Sequence, residues 1–196
     1  MTTIYLLRHG VYENKKNVNP FRLPNFPLSD EGKKQINEIA DYLKDKNISA
    51  IYSSPILRTK QSAEIIGKAL DKKTNYSSLI VEVNSPFEGM DLDKYHAMRD
   101  KTGIYKNPDY LNNSGETIKQ IYDRMEKFLE IILEKHKGEN ILIVSHGDPI
   151  NFLLYGIVEK DLNRYYKKTL SYIPKGGICQ LKFEGKDLIN FKQINY

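Results

Sequence analysis

The chain has 196 residues, 40% of them hydrophobic and 28% charged, which is ordinary for a soluble globular protein able to bury a sizeable core as one domain. Its lone cysteine, Cys179, excludes an intrachain disulfide, a cysteine metal cluster and a Cys-x-x-Cys motif. The net charge of +5 comes from lysines scattered along the chain, which favours solubility and mild attraction of anionic substrates over a nucleic-acid partner.

The first apolar run, Ile4-Tyr5-Leu6-Leu7, is too short for the core of a signal peptide or for a membrane span, and no cationic segment precedes it. A cytoplasmic location without a membrane partner is therefore the expectation. The run reads as a buried strand that stops at the polar step Arg8-His9-Gly10. From Val11 to Pro27 there are three prolines and four asparagines and no helical period, so this is a loop, long enough to wall a site. A helix opens at Leu28-Ser29-Asp30-Glu31 with Ser29 or Asp30 as cap, and Ile36, Ile39, Ala40 and Leu43 share one face. Ile48 to Tyr52 reads as a strand ending at Ser53-Ser54-Pro55, followed by a helix from about Ile56 to Leu70 and a further strand from Leu79 to Val83. Asn84 to Asn113 is mixed and forms a second wall.

Ser114 is placed to cap the most regular helix of the chain, in which Ile118, Ile121, Met125, Phe128, Leu129 and Ile132 keep the helical period and Gly138 marks the end. Ile141-Leu142-Ile143-Val144 has the continuous apolar character of a strand buried on both faces, and it too stops at a polar turn, Ser145-His146-Gly147-Asp148. A helix follows from about Pro149 to Ile157. Ile178–Phe183 and Leu188–Ile194, joined by Glu184-Gly185-Lys186, form a closing hairpin. This alternation predicts an α/β fold, a three-layer α/β/α sandwich around a mainly parallel sheet, as one domain over 1–196 with wall regions at about 11–27 and 84–113. Ligands of such sheets bind beyond the carboxyl ends of the strands. Two strands here end in a histidine followed by glycine, and a third ends just before the helix that carries Arg58.

A neutral imidazole at His9 is a competent nucleophile near pH 7. Attack on a phosphoryl group needs an in-line approach and positive charge around the equatorial oxygens. Arg8 and Arg58 supply that charge as bidentate forks, and a protonated His146 would add a third cationic donor. Gly10 and Gly147 would let backbone approach an anion closely. His96 and His136 lack such a context and read as surface residues. No His-x-x-x-His spacing or paired carboxylate supports a metal site, so neither metal nor cofactor is expected.

Taken together, Leu7-Arg8-His9-Gly10, Pro27-Leu28-Ser29-Asp30-Glu31-Gly32, Ile51 to Ala63 around Arg58, Gly115-Glu116-Thr117 with Arg124 beyond it, and Val144-Ser145-His146-Gly147 resemble, in order, the motifs of the histidine phosphatase superfamily, the phosphoglycerate mutase-like family. The resemblance implies a phosphoglycerate mutase-like fold. It also implies a phosphatase in which His9 is phosphorylated and then hydrolysed, in a pocket of Arg8, Arg58 and His146. It further implies a carboxylic acid that protonates the leaving oxygen. Ile80-Val81-Glu82 and Phe87-Glu88-Gly89 are the counterparts of the family's acid region, which favours Glu82 over Glu88 and over Asp148 beside the second histidine. Asn17, ahead of Asn14, takes the place of the family's phosphate-binding asparagine, and Gly147 that of its second-histidine glycine. The family's threonine after Arg-His-Gly-x is replaced by Tyr12, and Arg22 stands either toward substrate or in solvent.

The expected partner is a small phosphorylated molecule. The alternatives are a phosphoglycerate mutase and a non-catalytic phosphate- or partner-binding module. The compact chain favours hydrolysis, and the retained arginines and histidines argue against a retired site. Tyr12, Phe21, Phe26, Phe87, Tyr95 and Tyr105 would line the walls.

Overall fold

Side-chain alternation along the strands sets the layers. In β1 (Thr2–Arg8), Ile4 and Leu6 join one hydrophobic cluster while Tyr5 and Leu7 join another. In β4 (Asn140–Ser145), Ile141 and Ile143 fall on the first side, and Leu142 and Val144 on the second. Strands buried on both faces need helices on both faces. On one side pack α1 (Asp30–Leu43) and α2 (Leu57–Leu70), through Ile36, Ile39, Ala40, Leu43, Ala63 and Ile66. On the other pack α4 (Ile118–Lys135) and α5 (Gly147–Ile157), through residues such as Ile121, Met125, Ile132, Ile150 and Leu154. A shorter helix, α3 (Leu92–Thr102), lies in the second wall region. The computed structural model describes residues 1–102 and 115–194.

Six strands form one mixed sheet in the order β3-β2-β4-β1-β5-β6, where β2 is Ile48–Ser53, β3 Thr74–Tyr76, β5 Ile178–Glu184 and β6 Asp187–Ile194. The first four run parallel, and the closing hairpin adds two antiparallel strands beside β1. The fold is α/β, a mainly parallel sheet between two helical layers. Among the described residues, no helix is long and apolar enough to cross a membrane.

Three local expectations need correction. The stretch Leu79–Val83 is not a strand: a 3₁₀ turn covers Ser78–Ile80, with Ser77 Oγ accepting from the Leu79 amide, and residues 81–85 have no regular structure. The sheet edge is taken instead by the polar Thr74–Tyr76. An apolar run can be buried as an irregular segment under a helix as well as in a ladder, and Ile80 and Val83 pack into the α4-side core. Ser114 lies outside the described residues; the cap seen on α4 is Thr117, which shares a capping box with Gln120. His136 is not a surface residue: its ring, with a side chain 11% exposed, bridges the Tyr52 hydroxyl and Glu139.

Candidate active site

The parallel register of β1 and β4 pairs Arg8 with Ser145, so the next residue of each strand, His9 and His146, emerges side by side. The ladder continues one step further, because the His9 amide donates to the Ser145 carbonyl at 3.1 Å. The two imidazole centroids are 5.3 Å apart. Beyond the end of β2, Ser54 donates its amide to the Val144 carbonyl and turns the chain into α2, whose second residue is Arg58. Three strand ends thus deliver one cluster, and all of His9, Arg58 and His146 are buried.

The hydrogen bonds fix the proton positions. His9 Nδ1 lies 2.9 Å from the Gly10 carbonyl, which can only accept, so Nδ1 carries the hydrogen. Nε2 then holds a lone pair, and it accepts from Arg58 Nε at 3.0 Å. His146 is arranged the other way round. Its Nδ1 accepts from Arg58 Nη2 at 3.2 Å, leaving Nε2 to donate to Ser54 Oγ at 2.9 Å. Burial, reinforced by the Arg58 and Arg8 charges, pushes both imidazoles well below the usual histidine range. With its Nδ1 accepting from Arg58, His146 is held as a neutral imidazole in this arrangement.

Arg58 also donates from Nη2 to the Phe21 carbonyl at 2.7 Å, which ties the 11–27 wall to the cluster. Arg8 donates from Nη1 to the Ile173 carbonyl at 2.9 Å and lies over the Tyr172 ring. Arg8 Nε and Arg58 Nη1 are buried without a hydrogen-bond partner among the described residues. Buried guanidinium N–H groups of this kind are costly unless an anion meets them.

Glu82 reaches the same place from its irregular segment. Its Oε2 lies 3.7 Å from Arg58 Nη2 and 3.6 Å from His146 Nδ1, while Oε1 accepts from the Val83 amide at 3.0 Å. Burial first, then the negative charge of Asp148, raises its pKa to about 7, against the opposing pull of Arg58. This carboxyl therefore keeps its proton close to neutrality. Asp148 also lines the cavity and accepts from the Tyr172 hydroxyl at 2.8 Å. Glu88 is exposed, and its carboxylate takes the Arg22 amide at 2.7 Å.

These groups line a cavity of about 910 Å³ that includes Arg8, His9, Arg58, Glu82 and Asp148. His146 stands directly behind them. Asn17 is not brought to the cavity: it sits exposed in a left-handed turn (φ 49°), and Asn19 lines the wall in its stead. Gly147 opens α5, and a Cβ there would lie 2.9 Å from the Arg8 guanidinium carbon and 2.2 Å from the Tyr172 hydroxyl. Its absent side chain makes room for Arg8. At Gly10 a Cβ would meet the Gly32 carbonyl at 2.8 Å, so that glycine serves the close approach of α1. Tyr12, Phe21 and Tyr95 line the cavity, Phe26 and Phe87 do not, and Tyr105 lies outside the described residues.

Sequence reasoning alone missed several contributors. Ser54 and the Phe21 carbonyl act through contacts far apart in the chain, for which a single sequence carries no signal. Tyr172 also escaped notice, as a lone tyrosine in a loop. Among the described residues, no group of three or more His, Cys, Asp or Glu side chains is arranged to hold a metal ion.

A family model described as the histidine phosphatase superfamily (branch 1) matches residues 4–195. The chain is 29% identical over 154 residues to the uncharacterized phosphatase PhoE of Bacillus subtilis, covering 79% of this chain and 76% of the relative. It is 27% identical over 172 residues to phosphoserine phosphatase 1 of Hydrogenobacter thermophilus, covering 85% and 81%. Among solved structures, Bacillus stearothermophilus YhfR has a similar fold, with a TM-score of 0.85, 22% identity and coverage of 96% and 94%.

Proposed function

This chain belongs to the histidine phosphatase superfamily, and on that premise we propose that it hydrolyses phosphomonoesters of small molecules through a phosphohistidine on His9. The observation that carries the reading is the pairing of an unprotonated His9 Nε2 with a buried carboxyl, Glu82, that holds its proton to about pH 7.

In the first half-reaction the phosphoryl group lies against Arg8 and Arg58, with His146 buried beside Arg58. Its oxygens take over the guanidinium N–H groups, including Arg58 Nε, and this frees the His9 Nε2 lone pair. Nε2 attacks phosphorus, the bond to the ester oxygen breaks, and Glu82 passes its proton to that oxygen. In the second half-reaction the Glu82 carboxylate takes a proton from water, the hydroxyl bonds to phosphorus, and the P–N bond breaks. Inorganic phosphate leaves, Glu82 is again protonated, and His9 is again neutral. Charge stabilisation comes from the two fixed guanidiniums, with no reorganisation needed during transfer.

Phosphate release from p-nitrophenyl phosphate in the presence of a chelator tests the reading. His9→Ala is expected to lower turnover on the order of 10⁴-fold or more. Turnover unchanged in that variant would overturn the assignment. Incubation with 3-phosphoglycerate should yield free phosphate; predominant conversion to 2-phosphoglycerate would make the chain a mutase instead.

A further inference from the structure

Glu82 stands on backbone that no ladder holds. Residues 81–85 belong to neither helix nor strand, so their amides and carbonyls must find partners elsewhere. The Glu82 carbonyl and the Asn84 amide find theirs in three charged side chains from distant parts of the sequence. The Glu82 carbonyl accepts from Arg22 Nε at 2.7 Å and from Arg124 Nη2 at 3.3 Å. Arg124 Nη1 donates to the Leu79 carbonyl at 2.8 Å. A single carboxylate, Glu116, fixes both guanidiniums. Its Oε1 takes Arg124 Nε at 2.8 Å, and its Oε2 takes Arg124 Nη2 at 3.2 Å and Arg22 Nη2 at 2.7 Å. The same Oε2 accepts from the Asn84 amide at 2.8 Å, and the Glu116 amide donates to the Asn84 carbonyl at 2.9 Å.

The clamp is well suited to holding position. The Arg124–Glu116 pair is bidentate, and its side chains are only 12% and 19% exposed, so solvent screens it little. Arg124 stands on α4, which is packed on the core, whereas Arg22 belongs to the 11–27 wall. The segment is therefore gripped from two directions. None of the three side chains lines the cavity. The Glu82 carboxyl itself takes its hydrogen bond from Val83, a residue of the same segment, so the carboxyl moves wherever that segment moves.

We infer that Glu116, with Arg124 and Arg22, is a positioning residue that aims Glu82 at the leaving oxygen and so controls proton delivery rather than phosphate binding or attack by His9. The inference rests on the reading of Glu82 as the acid. It concerns the step in which the ester P–O bond breaks and the departing oxygen takes the Glu82 proton. Misplacement of a reacting group by about 1 Å costs on the order of 10²-fold.

The experiment compares kcat/KM for glycerol phosphate, whose alkoxide must be protonated as it leaves, with kcat/KM for p-nitrophenyl phosphate, whose phenolate leaves without help. Both constants report steps through transfer to His9. Their ratio, taken on one preparation, cancels the fraction of protein that is folded. Glu82→Gln sets the reference and should lower the ratio on the order of 10²-fold or more. Glu116→Gln is expected to lower it roughly 10- to 100-fold, with the aryl ester changed about threefold at most. Arg22→Ala, in the loop and leaving the Glu116–Arg124 pair in place, should lower it by a smaller factor, about three- to tenfold. A wild-type ratio in Glu116→Gln and Arg22→Ala, beside a lowered ratio in Glu82→Gln, overturns the inference alone. An unchanged ratio in Glu82→Gln overturns the acid assignment beneath it. Should Glu116→Gln yield no folded protein, Arg22→Ala decides by the same criterion.

Discussion

His9 and Glu82, the proposed nucleophile and acid, meet in one cavity, yet they are supported by different kinds of structure. His9 and His146 prolong two neighbouring parallel strands, and ladder hydrogen bonds between β1 and β4 run up to His9 itself. Glu82 lies outside the sheet and is held by arginine and glutamate side chains. A ladder is made of backbone and survives most single substitutions, whereas a side-chain clamp is removed by one. The half around His9 is thus robust, and the half around Glu82 is adjustable.

The sharpest way to break this comparison is at Arg58, whose fork spans both histidines. Arg58→Lys keeps a charge but loses the planar geometry, and we expect kcat/KM to fall on the order of 10³-fold for alkyl and aryl esters alike. A loss confined to alkyl esters would mean that Arg58 belongs with the acid. Next in size is a stability effect at Glu82. Its folded pKa of about 7 stands above the ordinary 4.5, so the contribution is fully present below about pH 4.5 and is lost as pH rises through about 7. Across that window the wild type should lose roughly 3 kcal/mol relative to Glu82→Gln, measured by urea unfolding at pH 4 and pH 8. Equal pH dependence in the two proteins would show that the carboxyl is not buried as described. Smallest is a pH effect on rate. Above about pH 7, kcat/KM for an alkyl ester should decline up to tenfold per unit as Glu82 loses its proton. The aryl ester should stay nearly level there, because His9 remains neutral from well below pH 6.5 upward. A shared decline for both esters would detach that limb from Glu82.

The half of the site built on regular structure was the half legible in the sequence. Buried strands announce themselves as apolar runs, and polar residues at their ends mark the functional edge, so His9, His146 and Arg58 could be placed at one edge of the sheet before any coordinates. The hairpin from Ile178 to Ile194 was equally plain, because Gly185 interrupts two alternating runs. Glu82 could be singled out, but its support could not. Leu79 to Val83 looks like a strand because packing under α4 demands the same apolar residues that a ladder would. The partners that replace the ladder, Arg22, Glu116 and Arg124, stand far from it in the chain, and pairwise contacts of that kind leave no periodicity to read. Spacing favours Asn17, yet Asn17 is exposed in a left-handed conformation and Asn19 lines the cavity, an outcome that loop spacing does not encode.

Arg8 Nε and Arg58 Nη1, buried and without a hydrogen-bond partner among the described residues, have a consequence for the protein's life in solution. In the proposed reaction a small tetrahedral oxyanion held by the two guanidiniums is expected to relieve both, and inorganic phosphate is one. A ligand at a hundred times its Kd raises folding stability by about 2.7 kcal/mol. The product of the proposed reaction is therefore expected to act as thermal protectant and competitive brake at once, and surroundings rich in phosphate would preserve the protein while idling it.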